Sequence, residues 1–107
     1  MRILNTPSFD RELKNLAKRH RSLLDDITQL AHDLRDNPHQ GESLGRSCYK
    51  VRMAITSKGK GKSGGARIIT CIKIERDTLY MLTLYDKSDR ESISNAELTE
   101  LLKEIEA

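Results

Sequence analysis

The sequence predicts an α+β domain in the order β-α-α-β-β-β-α, with a helical pair packed on one face of a small, mainly antiparallel sheet. Three patterns predict it. Apolar residues recur at helical spacing between residues 9 and 34, three runs suited to strands follow between 48 and 85, and helical spacing returns after Ser94. The chain has 107 residues, the length of one domain with a single modest core, so residues 1–107 are expected to form one unit.

Taken in order, RILN at residues 2–5 is short and partly apolar, and Pro7 ends it as a brief strand. Ser8 is the expected N-cap of a first helix drawn by Phe9, Leu13, Leu16 and Ala17. Ser22 followed by Asp25 resembles a capping box, and Leu23, Leu24, Ile27, Leu30, Ala31 and Leu34 give the second helix an apolar face. DNPHQG stops it, and a polar loop follows.

CYKVRMAIT, from residue 48, alternates cleanly: Tyr49, Val51, Met53 and Ile55 lie on one side, Lys50, Arg52, Ala54 and Thr56 on the other. In ARIITCIKI, from residue 66, Ile68, Ile72 and Ile74 set one face, against Arg67, Ile69, Cys71 and Lys73. If the two runs pair with apolar sides together, odd positions of the first oppose even positions of the second, since a one-residue slip reverses the faces. Lys50, Arg52, Arg67 and Lys73 then share one surface, and the sheet face away from the helical pair is basic. A tight ERD turn leads to TLYMLTLY, and Ser94 with Glu97 forms a capping box for a closing helix bearing Leu98, Leu101, Leu102 and Ile105.

Charge is uneven along the chain. From Arg46 to Arg76 nine basic residues face one acidic residue, Glu75, a net +8, so the remainder carries −5 of the overall +3. Such a band is the footprint of a surface that meets phosphate. Its centre is SKGKGKSGGAR at residues 57–67, with three lysines, four glycines and one arginine. GKS at 61–63 imitates the end of a nucleotide-binding P-loop, but the first glycine of that motif would fall on Thr56, and a strand follows where the motif requires a helix. A hairpin loop whose Lys58, Lys60 and Lys62 contact a polyanion backbone as point charges fits better.

His20, His32 and His39 lie in or beside the helices and read as surface residues. Acid–base chemistry on the basic face would therefore draw on Lys50, Tyr85, Asp86 and Lys87. Cys48 and Cys71 lack metal-ligand spacing and read as reduced thiols, although the proposed register makes a cross-strand disulfide geometrically conceivable. The acidic residues suit helix starts and wet helix faces, and no metal or cofactor site is expected. The sequence has no apolar run of membrane-spanning length and no secretory leader pattern, so a cytoplasmic protein is expected.

The element order, together with YKVRMAI, the glycine and lysine loop, GGARII and LYMLTLYDKSDRESIS, resembles the RelE/ParE superfamily of type II toxins, on its RelE-like, HigB-type side. The resemblance implies a toxin restrained by a cognate antitoxin that covers part of the helical pair or the basic face, with operator DNA bound only through that antitoxin. It implies entry into the A site of the 70S ribosome and metal-free cleavage of translated mRNA, in which a 2′-hydroxyl attacks the adjacent phosphate and the 5′-oxygen leaves. By motif position it makes Lys50 a candidate base and Arg52 a phosphate contact, Arg67 a transition-state clamp, and Lys87 an acid or second clamp. Lys58, Lys60, Lys62, Lys73, Tyr85 and Arg90 would contact RNA. Ile93 stands where some members stack a tyrosine on a base, which leaves Tyr85 for that role, and Asp86 or Lys87 stands where some relatives have histidine. The alternatives are a gyrase poison of the ParE kind, which lacks the basic cluster, and an RNA-binding module without catalysis.

Overall fold

A computed structural model describes residues 1–106. In chain order it contains β1 (Arg2–Asn5), α1 (Pro7–Ala17), α2 (Leu23–Asp36), β2 (Glu42–Gly45), β3 (Cys48–Met53), β4 (Ala66–Lys73), β5 (Thr78–Asp86) and α3 (Asn95–Leu102). One sheet runs in the order β1-β5-β4-β3-β2. β1 lies parallel to β5, and the other pairs are antiparallel. The α+β class and the predicted order therefore hold, with one strand more: β2 lies in what reads as a polar loop, because its ESLG is too short and too polar for an alternating pattern.

Burial fixes the register of the central strands. Val51 opposes Ile68 and Met53 opposes Ala66, the expected odd-to-even pairing. Val51, Met53, Ile68, Ile72, Leu79, Met81 and Leu84 pack against Phe9, Leu16, Leu23, Ile27, Leu30 and Leu34 of the helical pair. Each such side chain removed from water contributes about 1.5–3 kcal/mol before entropy is set against it. A bulge at Leu82 shifts the β4–β5 register, so that Ile69 pairs with Thr83 but Thr70 with Met81.

The opposite face is not simply basic. Cys48, Ile69, Cys71, Leu82 and Tyr85 form a second apolar cluster there, covered by Leu98 of α3 and by Ile105 beyond it. The domain thus has three layers, the sheet lying between the α1/α2 pair and α3. Lys73 is separated from Arg67 by six residues of strand, about 20 Å, with Ile69 and Cys71 between them. The expectation that Lys73 shares a surface with Lys50, Arg52 and Arg67 is corrected accordingly: α3 divides the face.

Helix starts follow capping chemistry, not always at the expected residue. The α1 cap is Thr6, whose hydroxyl oxygen accepts from the Phe9 amide, with Pro7 inside the first turn, so Ser8 is not the cap. Ser22 precedes α2 but makes no capping bond; its hydroxyl donates to Asp26 and accepts from the Ser57 amide. The Ser94–Glu97 capping box of α3 is present in full. Among the described residues no helix is long and apolar enough to cross a membrane.

Gly65, where the loop enters β4, sits so close to β3 that a Cβ there would lie 2.1 Å from the Met53 carbonyl oxygen. Gly65→Ala is expected to lower stability by about 1–3 kcal/mol, since backbone must shift to admit one methyl group. An unchanged urea midpoint for this variant would show that the loop has room to adjust.

Candidate nucleic-acid interface

Pairing across the sheet builds a row. Arg52 on β3 opposes Arg67 on β4, which opposes Tyr85 on β5. Lys50, two residues from Arg52, is on the same face of β3, and its ammonium lies 3.6 Å from the Glu42 carboxylate of β2. Beside these strands a cleft of about 340 Å3 brings together Lys50, Arg52 and Lys62 of the loop, with Gln40 and Glu42 on its rim. Arg52, Lys60 and Lys62 are exposed, and Lys50 and Lys87 are half-buried.

Arg67 is only 5% exposed. Its guanidinium donates to the carbonyls of Lys62 at 3.0 Å, Ala66 at 3.1 Å and Ser63 at 3.4 Å. Three of its five N–H donors are used in this way, which leaves Nε–H and one Nη–H. Carbonyl dipoles replace the water that a buried guanidinium gives up. They also fix its plane, and the loop that supplies them is the glycine and lysine stretch.

That loop is held at its start. Residues Thr56–Lys58 and Lys62–Gly64 each form a 3-10 turn. Asp26 of α2 accepts from the Thr56 amide at 2.9 Å and its hydroxyl at 2.6 Å, and Ser22 accepts from the Ser57 amide at 2.8 Å. Lys58 turns inward, away from any polyanion, and its ammonium donates to Asp86 at 2.8 Å. The reading of Lys58 as a free point charge is therefore corrected: a buried carboxylate takes its charge.

Asp86 is 2% exposed and collects four partners. Besides Lys58, it meets His20 Nε2 at 2.9 Å, the Ser88 hydroxyl at 2.7 Å and the Ser88 amide at 2.9 Å. Burial pushes its carboxyl pKa up, but the hydrogen bonds from Lys58, Ser88 and His20 outweigh burial and hold it well below the usual carboxylate range. His20 is thus a half-buried structural partner and not a surface residue. It stands 66 positions from Asp86, and no local pattern announces a contact of that span.

Two further assignments change. Tyr85 is 6% exposed, its hydroxyl reaches the Glu91 carbonyl at 3.4 Å, and the Arg90 guanidinium lies 5.1 Å from its ring centroid. Burial raises its phenol pKa, against the fields of Arg90 and Arg67. No ring face is left open to stack on a base. Arg90 is itself bound to Glu97 at 2.6 Å and to the Ser92 carbonyl, so its charge is shared within the chain. Cys48 and Cys71 lie directly opposite each other as free, fully buried thiols. Both thiols donate to the Arg46 carbonyl oxygen, at 3.4 Å and 3.8 Å, and the neighbouring Cys71 sulfur together with burial pushes the Cys48 thiol up.

A larger groove, about 1060 Å3, runs between α1, β5 and α3. Glu12, Asp89, Glu97, Glu100 and Glu104 line it with Arg11, Arg19 and Arg90. Its size does not make it the polyanion site: acidic groups outnumber basic ones, whereas cations dominate the smaller cleft. Among the described residues no group of three or more His, Cys, Asp or Glu is placed to hold a metal ion.

The fold superposes with TM-score 0.62 on the free-state structure of the E. coli toxin RelE bearing two arginine-to-alanine substitutions. The two chains are 14% identical, and the match covers 98% of this chain and 97% of that one. The family described as the RelE toxin of the RelE/RelB toxin-antitoxin system matches residues 1–106. The chain belongs to this family and is the toxin component of a toxin–antitoxin pair, with an antitoxin as partner.

The Asp86 cluster gives a pH dependence with a defined sign. Because the folded carboxyl has a pKa below its unfolded value near 4, its stabilisation is complete above about pH 4 and is lost as pH falls through the folded value. The urea midpoint of the wild type is expected to fall more steeply between about pH 4 and pH 2 than that of Asp86→Asn. Parallel profiles would remove Asp86 as a source of acid sensitivity.

Proposed function

We propose that this toxin is a ribosome-dependent endoribonuclease that cleaves translated mRNA and so arrests translation. The observation that carries the reading is the convergence of Lys50, Arg52 and Arg67 across β3 and β4 with the exposed loop cation Lys62. Three of these line one cleft. A gyrase poison has no need of such a cluster.

The chemistry follows from the groups present. A base takes the proton of a 2′-hydroxyl, the resulting oxygen attacks the adjacent phosphorus, and an acid protonates the departing 5′-oxygen. Lys50 is the proposed base and Lys87 the proposed acid or second clamp. Charge that builds on the phosphorane-like oxygens is met by Arg52 from the open side and by Arg67 from beneath. The side chains supply the cations that a metal would otherwise provide. Lys60 and Lys62 hold the RNA or ribosomal backbone as graded point charges. The ribosome would present the mRNA in an extended form, and the antitoxin would keep the cleft closed in unstressed cells.

Primer extension on a reporter mRNA in a translation extract, beside the same RNA without ribosomes, tests this reading. Cuts are expected only in the translated sample. Arg52→Ala, Arg67→Ala and Lys87→Ala should each lower cleavage by about 10²-fold or more, as for removal of one transition-state donor, and Lys60→Ala by less than about tenfold. Equal losses at all four positions would remove the division between reacting groups and docking charges. Intact RNA throughout, with folded protein, would favour gyrase poisoning or binding without cleavage.

A further inference from the structure

We propose that Asp86 is a positioning residue for the cleavage site: through Lys58 it fixes the loop whose carbonyls orient Arg67, and through Ser88 it fixes the turn that carries Lys87. The inference rests on the reading of Arg67 and Lys87 as groups that face the reacting phosphate.

The connections are explicit. Asp86 holds the Lys58 ammonium at 2.8 Å. Four residues on, Lys62 and Ser63 direct their carbonyls at the Arg67 guanidinium. The same Asp86 oxygen accepts the Ser88 amide and hydroxyl, closing a turn around Lys87, whose own amide donates to Gly65 at 3.0 Å. One carboxylate thus ties the loop before β4 to the exit of β5, and Ala66 pairs with Asp86 in the ladder between them. His20, in the link between α1 and α2, closes its remaining side.

Stability alone does not account for this cluster. Taking a carboxylate and an ammonium out of water costs several kcal/mol each, and apolar residues of similar volume are often as stabilising in such a place. What the ion pair supplies and an apolar pair does not is direction: Lys58 reaches Asp86 in one geometry, and the loop path follows from it. Small displacements of a group that contacts a transition state are costly, about 10²-fold for 1 Å.

The test compares wild type with Lys58→Met, Lys58→Arg and Asp86→Asn under conditions where each is shown folded by its thermal transition. Cleavage of translated mRNA is measured over a range of ribosome concentration, and the Arg67 Nε–H and the Lys62 and Ser63 amides are followed by NMR. Lys58→Met and Asp86→Asn are expected to lower kcat by about 10-fold to 100-fold with KM little changed. Their effects should not add in the double variant, all three NMR signals should move, and Lys58→Arg should recover most of the rate. Wild-type kcat in folded Lys58→Met, or unmoved Arg67, Lys62 and Ser63 signals, would overturn the proposal. Should Asp86→Asn fail to fold, Lys58→Met, which retains most of the side-chain volume, decides the matter. If the wild type itself cleaves nothing, the endonuclease reading fails separately, and the NMR comparison still shows whether Asp86 sets the Arg67 geometry.

Discussion

The register between β3 and β4 is the constraint from which the rest of the molecule follows. Val51 against Ile68 and Met53 against Ala66 bury one face beneath the helical pair. The pleat then leaves Arg52 no choice but to stand opposite Arg67 on the other face. A slip of β3 by one residue would turn Lys50 and Arg52 into the apolar core, a cost large against the marginal stability of a domain this small. The apolar side thus enforces the arrangement of the cationic side. The two arginines are adjacent because burial demands it, and the surroundings have to accommodate that proximity.

They do so asymmetrically. Arg52 keeps its charge in water, while Arg67 is sheathed by backbone carbonyls of the loop that precedes it. Among the described residues neither arginine has a carboxylate within salt-bridge distance, in contrast to Arg19 and Arg90, which pair with Asp89 and Glu97. Carbonyl dipoles solvate a guanidinium without cancelling its net charge, so positive potential persists at the rim where β3 meets β4. An approaching phosphate is the natural counter-ion for such a field.

The elements governed by local periodicity were legible in the sequence: the two-faced β3, its register with β4, the apolar stripe of α2, and the capping box at Ser94. What depended on long-range pairing was not. β2 has four residues and is a strand only because β3 lies beside it. The placement of α3 opposite the helical pair follows from Ile69, Cys71 and Leu82 needing cover, yet their pattern alone does not say which helix provides it. Lys58 and His20 looked like ordinary surface charges because the carboxylate they share lies 28 and 66 positions away. The candidate site was legible as a face and a set of cations. Which cations are free and which are structural required the fold.

The loop shows why that distinction matters for function. Its three lysines look equivalent in sequence, and a flexible arm would have used them equivalently. Thr56, Ser57 and Lys58 instead tie its first turn to α2 and β5, and the last of these contacts spends one lysine on the interior. Lys60 and Lys62 remain outside, beyond a fixed anchor, and Lys62 lines the cleft that holds Lys50 and Arg52. The acid-lined groove lies against β5, two strands from β3 in the sheet order. A molecule with a net charge of only +3 can therefore still direct a polyanion, because its charges are sorted across the sheet. On the proposed endonuclease reading, association would be steered to the β3–β4 rim, where the loop carbonyls already fix the orientation of Arg67, and such preorganisation is what would distinguish a reactive site from a merely basic surface.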